Sequence, residues 1–133
     1  MFLEMRVVSD VLYAEVSGEV CVKAARELFS QMMAEYVRAG AKCILIDCRR
    51  VEGTLGVMQR YELGVELYNG HLRMIESGYV PPRIAIVAVP PLFDSGMLME
   101  SVAVNRGARF RAVQSLEEAA QWLGMDAAEL SRP

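Results

Sequence analysis

The chain has 133 residues, of which 53% are hydrophobic and 23% charged, and its formal net charge is −3. This composition excludes a disordered chain, and the slightly acidic balance excludes nucleic-acid binders that depend on a strongly basic surface. The length predicts a single domain over residues 1–133, large enough to bury a hydrophobic core without metals or disulfides.

The three cysteines, Cys21, Cys43 and Cys48, predict reduced thiols. Cys43 and Cys48 lie five residues apart in an extended segment, so their side chains point to opposite faces and cannot form a disulfide. Because His71 is the single histidine, the chain lacks a ligand set with zinc-site spacing. We therefore expect no metal and no cofactor.

Charged residues near the start of the chain interrupt any apolar run of signal-peptide length. The longest apolar run, residues 84–93, is about half as long as a membrane-spanning helix. The sequence therefore predicts a cytoplasmic protein with no signal peptide and no membrane span.

The first predicted element is a β-hairpin. Residues 5–8 and 11–16 are short extended runs that meet at Ser9 and Asp10, and the second run alternates between an apolar and a wetter face. A helix is predicted next, over residues 22–39, because its polar residues fall on one stripe and Gly40 suits a left-handed helix end.

Two later segments, residues 43–48 and 84–89, are continuously apolar and rich in β-branched residues. Such runs are typical of interior parallel strands that are covered on both faces. Residues 109–113 alternate instead, which predicts an edge strand.

Between the interior strands, a long helix is predicted over residues 55–76, with a possible interruption at Asn69 and Gly70. The pattern predicts a buried seam on this helix, made of Met58, Tyr61, Val65, Tyr68, Leu72 and Ile75. A second apolar stripe is formed by Leu63, Leu67 and Met74. Either the helix is buried on two sides, or the second stripe is an interface with a partner.

Two more helices are predicted, over residues 95–106 and from the capping box at Ser115 to Gly124. The element order β-β-α-β-α-β-α-β-α predicts an α/β domain with a mixed, mostly parallel sheet of about five strands.

No nucleophile elbow, phosphate-binding loop or dinucleotide-binding turn is present in the sequence. His71 is the single imidazole and is expected at the surface or at the boundary of the core. Asp47 ends an interior strand, where we expect backbone N–H groups of the next residues to hold it. Cys21 lies at a predicted helix start, where a thiol becomes more acidic, but a small capping residue is the simpler interpretation.

Several segments together resemble the SpoIIAA-like proteins, which are grouped with STAS domains and share the fold type of CRAL-TRIO lipid-binding domains. The resemblance covers nearly the whole chain. It is carried by residues 18–20, 44–47, 49–53, 84–87, 91–93, 102–107 and 115–123. The implied fold is that of a SpoIIAA-like domain.

The resemblance implies two functions of different classes. The first is a non-enzymatic regulatory or protein-interaction domain, and the alternative is a carrier of small amphiphiles or lipids. Anti-sigma-factor antagonists of this group carry a phosphorylatable serine in an Asp-Ser-Ser-Gly segment. Here the corresponding residues 51–56 contain Thr54 as the single hydroxyl, so the serine switch is missing.

A candidate anion site lies after the first interior strand. Arg49 and Arg50 follow that strand, Thr54 opens the next helix, and Pro91 and Leu92 follow the neighbouring strand. In parallel sheets, ligands meet the loops beyond the carboxyl ends of the strands. The site would take a carboxylate, a phosphate or an acidic partner. The alternative is that Arg49 pairs with Glu52 and that Arg50 is solvated.

We also expect a homodimer. If all helices cover one face of the sheet, the opposite apolar face needs a cover, and a second copy of the chain supplies one. The stripe of Leu63, Leu67 and Met74 is the alternative interface.

Overall fold

The computed structural model describes residues 1–92, 100–102 and 104–131. Its centre is a sheet whose strands follow chain order: β1 (Phe2–Val8), β2 (Val11–Glu19), β3 (Cys43–Glu52), β4 (Arg83–Val87) and β5 (Phe110–Val113). β1 is antiparallel to β2, and the remaining neighbours are parallel. The predicted fold class and sheet are confirmed.

The helices lie on both faces of this sheet. They are α1 (Val22–Ala39), α2 (Val57–Glu76) and α3 (Leu116–Leu123), and a 3-10 turn follows at Ala127–Ser131. α1 and α2 connect neighbouring parallel strands in chain order and pack on one face, as crossovers of one hand require. α3 and the 3-10 turn pack on the other face. Of the predicted helix over residues 95–106, residues 95–99 and 103 lie outside the described residues, and residues 100–102, 104 and 105 are helical.

A two-residue turn connects β1 and β2. Ser9 and Asp10 have φ values of 50° and 65°, and Val8 pairs with Val11 directly across the turn. Two left-handed residues in succession match the right-handed twist of a hairpin. The predicted hairpin and its turn are therefore confirmed.

The sheet face opposite α1 and α2 is covered by the chain itself. Ala119, Ala120 and Leu123 of α3 pack against interior residues such as Leu45 and Val87. The reason given above for a homodimer on this face is therefore wrong. Helix α3 does not connect two parallel strands, so the handedness of crossovers does not fix the face on which it packs. It packs on the face that α1 and α2 leave uncovered and buries it.

Helix α2 buries the stripe that was offered as an interface. Leu67 and Met74 are buried, and Leu63 is partly buried against the same core. The prediction that these three residues form an interface is wrong, because they face the sheet and α1.

The predicted buried seam of α2 faces outward instead. Met58 is 67% exposed, Tyr61 41%, Leu72 37% and Ile75 52%, while Val65 and Tyr68 in the middle of the seam are half-buried. Both stripes have helical spacing, so periodicity alone does not choose between them. The buried stripe includes Gly70, where an added Cβ would lie 2.7 Å from Cε1 of Phe29 on α1. This glycine lets the two helices approach closely, and it does not interrupt α2.

Strand β3 is longer than predicted and runs through Glu52. Its pairing with β2 shifts by one residue, since Glu15 lies beside Asp47 but Ser17 lies beside Arg50. Arg49 and Arg50 are therefore strand residues next to a β-bulge, a feature that re-aims side chains locally. They are not part of a loop beyond the strand.

Candidate functional site

A buried carboxylate lies in the middle of β3. Asp47 is 6% exposed. The Tyr13 hydroxyl donates to its Oδ2 at 2.7 Å, and Arg49 donates from Nε to Oδ1 at 2.9 Å and from Nη2 to Oδ2 at 2.8 Å. The backbone N–H of Arg49 also donates to Oδ1, at 3.1 Å. The expected backbone contact is confirmed, but sequence reasoning missed both side chains.

Strand geometry brings this cluster together. Asp47 and Arg49 are two residues apart in β3, so their side chains share a face, and a guanidinium matches a carboxylate with two parallel hydrogen bonds. Tyr13 reaches Asp47 from β2, where it pairs with Leu45. The guanidinium of Arg6, on β1, lies over the Tyr13 ring, with its Cζ 5.2 Å from the ring centroid. The Asp-x-Arg spacing is the signal that would have identified the ion pair.

The contacts within the cluster shift the pKa values of its side chains. Burial raises the pKa of Asp47, but the hydrogen bonds from Arg49 and Tyr13 outweigh it, so the net pKa of this carboxyl is lowered. Burial, together with the hydrogen bond to Asp47, raises the pKa of Tyr13. Asp47 is therefore ionised at neutral pH with both oxygens occupied. This arrangement stabilises the sheet and suits a general base poorly, because such a base needs a pKa near the working pH.

The arginines of the predicted anion site have different environments. Arg49 pairs with Asp47 rather than with Glu52, so its charge is neutralised within the chain. Arg50 is exposed. The guanidinium that was expected to bind an external anion is thus already bound to an internal one.

The other predicted members of that site do not meet Arg49. Thr54 is exposed and lies in the connection before α2, whose N-cap is Gly56, so Thr54 does not open the helix. Pro91 is exposed, whereas Leu92 is buried in the core on the α1 and α2 side of the sheet. The cluster of Asp47 contains Tyr13, which packs on the opposite side.

An apolar cavity of about 100 Å³ lies between the sheet and helices α1 and α2. Its wall contains residues of three strands and both helices: Met1, Val16, Val20, Ala25, Arg26, Leu28, Phe29, Met32, Ile46, Cys48, Val51, Leu55, Leu63, Glu66, Leu67, Ile86, Ala88 and Leu92. Sequence reasoning missed it, because a void reflects the shapes that side chains leave unfilled rather than any motif.

The three thiols differ in environment. Burial and the neighbouring Asp47 raise the pKa of Cys48 to about 12, and burial raises the pKa of Cys43. Cys21 is exposed at the N-cap of α1, where its side chain makes no capping hydrogen bond.

We expect a chromogenic disulfide reagent at pH 8 to titrate Cys21 rapidly in the folded protein and Cys43 and Cys48 only after denaturation, because the thiolate is the reactive form. Counting thiols with and without denaturant checks this. A native Cys21→Ser variant that still releases a full equivalent of chromophore at the wild-type rate would contradict it.

His71 lies at the boundary of the core, as expected. Burial lowers the pKa of its imidazole, and Arg109 adds to this effect. Its Nδ1 is buried and has no hydrogen-bond partner among the described residues. No acidic partner orients this ring there, so His71 lacks the relay of a catalytic base.

Within residues 1–92, 100–102 and 104–131, no group of three or more His, Cys, Asp or Glu side chains could hold a metal ion. None of the helices in the described part of the chain is both long and apolar enough to cross a membrane.

Comparison with known proteins identifies the fold. No protein-family model matches the chain, and no curated protein sequence matches it. Among solved structures, the chain is similar to the anti-sigma factor antagonist SpoIIAA in its unphosphorylated form. The two share 14% sequence identity, the TM-score is 0.50, and the match covers 94% of this chain and 99% of SpoIIAA. The chain therefore has a SpoIIAA-like, STAS-type fold.

Proposed function

We propose that the chain is a non-enzymatic, regulatory protein-interaction domain that binds its partner through the outer face of α2. This face consists of Val57, Met58, Tyr61, Leu72 and Ile75. SpoIIAA, whose fold this chain shares, is an anti-sigma factor antagonist. The exposed apolar helix face is the observation that carries the proposal for this chain.

The outer face of α2 is unusual for a solvated helix. Val57 is 66% exposed and Met58 67%, at the first turn. Surface helices of globular proteins carry polar residues on their outer side, and contiguous exposed apolar residues mark interaction sites. Near its start, the face is bordered by Arg106, whose guanidinium stacks on the Tyr61 ring at 5.6 Å. An apolar strip with a cationic border suits a partner with an apolar surface and an adjacent acid.

The size of the outer face points to a transient contact. A helix of 20 residues is about 30 Å long, and the strip that it presents covers only a few hundred Å². Stable protein complexes bury about 800 Å² on each partner. A regulatory partner that binds and leaves therefore fits this face better than an obligate subunit does. A homodimer that forms through this outer face of α2 stays a prediction.

The missing serine switch has a consequence for this function. Thr54 stands in the connection before α2, where SpoIIAA-type antagonists carry the phosphorylated serine, and it lacks a neighbouring serine. Binding through the outer face of α2 then does not depend on phosphorylation. We expect Thr54→Ala to leave partner binding unchanged.

The test introduces negative charges on the outer face. A Met58→Glu, Ile75→Glu double variant should fold normally, since both side chains are exposed, and should lose partner contact. Val7→Glu is the matched control, because Val7 is 48% exposed on a different element. A photo-crosslinker placed at position 58 or 75 in cells should give one specific adduct, identified by mass spectrometry. Position 7 should not give this adduct.

Sedimentation velocity distinguishes the two kinds of partner. A wild-type dimer that is dissolved by the double variant, but not by Val7→Glu, assigns the contact to a second copy of the chain. If positions 58 and 75 give the same adducts as position 7, and the wild type sediments as a monomer, the proposed function is wrong.

A carrier of small amphiphiles is the second candidate function, and the apolar cavity favours it. The cavity lies beneath α1 and α2 and is lined mainly by hydrocarbon side chains. Native mass spectrometry of freshly purified protein tests this function, because a carrier retains a bound small molecule. Protein that is uniformly at the mass of the bare chain would argue against it.

A further inference from the structure

The volume of the cavity limits what it can hold. An engineered apolar cavity of about 150 Å³ stays dry and binds benzene. The cavity of about 100 Å³ between the sheet and helices α1 and α2 therefore matches an apolar group slightly smaller than benzene. A branched chain of four carbons has this size, whereas a long acyl chain does not fit inside.

The wall explains why such a group would bind. Ile46, Ile86 and Leu67 line the void from two strands and from α2. Atoms that border an empty space lose dispersion contacts on one side. A compact hydrocarbon group restores those contacts, whereas water would find few polar partners there.

The charges on the wall are already neutralised. Arg26 and Glu66 are the charged side chains among its lining residues. Nη2 of Arg26 lies 3.6 Å from Oε2 of Glu62, and Nη2 of Arg73 lies 3.1 Å from Oε1 of Glu66. An anionic ligand would compete with Glu62 for Arg26 and would lie near Glu66. A cationic ligand would compete with Arg73 for Glu66.

We infer that this cavity binds a compact, branched apolar molecule without net charge, whose small polar end lies near Arg26 and Glu66 at the wall. This inference rests on the second candidate function and narrows its ligand from amphiphiles in general to neutral ones of about four carbons. Arg26 lines the cavity and is also exposed, so the cavity borders solvent at this residue.

The experiment compares three probes that share one hydrocarbon part. These are 2-methylpropan-1-ol, 2-methylpropanoate and 2-methylpropylamine, each titrated at pH 7 into the full chain with labelled isoleucine and leucine methyl groups. The alcohol should shift the methyl resonances of Ile46, Ile86 and Leu67. Both ions should bind at least about tenfold more weakly, because burying them near paired charges costs desolvation free energy.

Two alanine variants provide the matched control. Ala25 lines the cavity and Ala24 does not, although both are half-buried residues of α1. We expect Ala25→Leu to weaken binding of the alcohol at least about tenfold by filling the void, and Ala24→Leu to leave it within about twofold.

Several results would overturn the inference. These are an absence of methyl shifts with all three probes, equal affinity for the carboxylate and the alcohol, or equal loss in the two alanine variants. Failure of the carrier function is a separate result. If the alcohol binds as expected but native mass spectrometry finds no retained molecule, the cavity assignment holds and the carrier function does not.

Discussion

Replacing Arg49 with methionine should lower the free energy of unfolding by roughly 2–3 kcal/mol at pH 7. Removal of one partner from a buried ion pair costs about 3–5 kcal/mol, because the remaining charge is left uncompensated. We expect a loss at or below the lower end of this range, since 45% of the Arg49 side chain is exposed while Asp47 is almost fully buried. Urea unfolding monitored by circular dichroism measures the change.

The neighbouring arginine is the control for this substitution. Arg50 is exposed in the same strand, and Arg50→Met should change the free energy of unfolding by no more than about 0.5 kcal/mol. Equal destabilisation by the two variants would contradict the role assigned to the Asp47 cluster.

The destabilisation caused by Arg49→Met should be largest at neutral pH and should shrink as the pH falls. In the wild type, the lowered pKa of Asp47 provides stability that is present above the unfolded pKa of about 3.9 and is lost as the pH falls through the folded value. Without Arg49, burial raises this pKa with less opposition. Protonation of Asp47 then removes the uncompensated buried charge of the variant, so the difference in the free energy of unfolding between wild type and variant, measured in urea, should be smaller at about pH 4 than at pH 7.

Gly70→Ala should destabilise the protein by about 1 kcal/mol, although alanine is the better helix former. The new Cβ would lie 2.7 Å from Cε1 of Phe29, and overpacking of this kind costs about 1–3 kcal/mol. The higher helix propensity of alanine offsets only about 1 kcal/mol of this cost.

The effect of Gly70→Ala on the free energy of unfolding should change sign when the Phe29 ring is removed. In a Phe29→Leu background, Gly70→Ala should be neutral or stabilising, since the clash is gone and the propensity gain remains. Thermal and urea unfolding of the four proteins in this cycle give the coupling between the two positions. Additive effects would contradict the account of Gly70 as the spacer between α1 and α2.

Features that depend on short stretches of sequence were predictable. The hairpin at Ser9 and Asp10, the end of α1 at Gly40 and the N-cap of α3 at Ser115 follow from turn chemistry and capping. The structure bears them out, with Gly40 left-handed and Ser115 Oγ accepting from the N–H of Glu118. Local rules succeed here because the partners are few residues apart.

The orientation of α2 was not predictable in this way. Its two apolar stripes both have helical spacing, and the choice between them depends on which one fits against α1 and the sheet. That fit is decided by the contact between Gly70 and the ring of Phe29, residues 41 positions apart in the chain. A glycine within one of the two apolar stripes is the signal that this stripe packs against a neighbouring helix.

The candidate site was predicted only in part. Asp47 was correctly expected to be held by backbone N–H groups, but its contact with Tyr13 depends on the register of β2 against β3. The bulge beside Arg49 is likewise a property of that pairing. Periodicity within one strand contains no information about register, so the Tyr13 contact was missed. The spacing of Asp47 and Arg49 could have shown their ion pair, but Arg49 was assigned to an external anion or to Glu52.

The strand order has a consequence for biosynthesis. Every strand pairs with its neighbours in the chain, so a polypeptide that leaves the ribosome N-terminus first can add each new strand to an existing edge. α3 and the 3-10 turn follow all five strands in the chain, yet they cover the apolar face that contains Leu45 and Val87. Until they dock, with Arg83 donating to the carbonyl groups of Trp122 and Leu123, that face is open to aggregation. The interval between synthesis of β5 and docking of α3 is therefore the one at which the nascent chain most needs protection by chaperones.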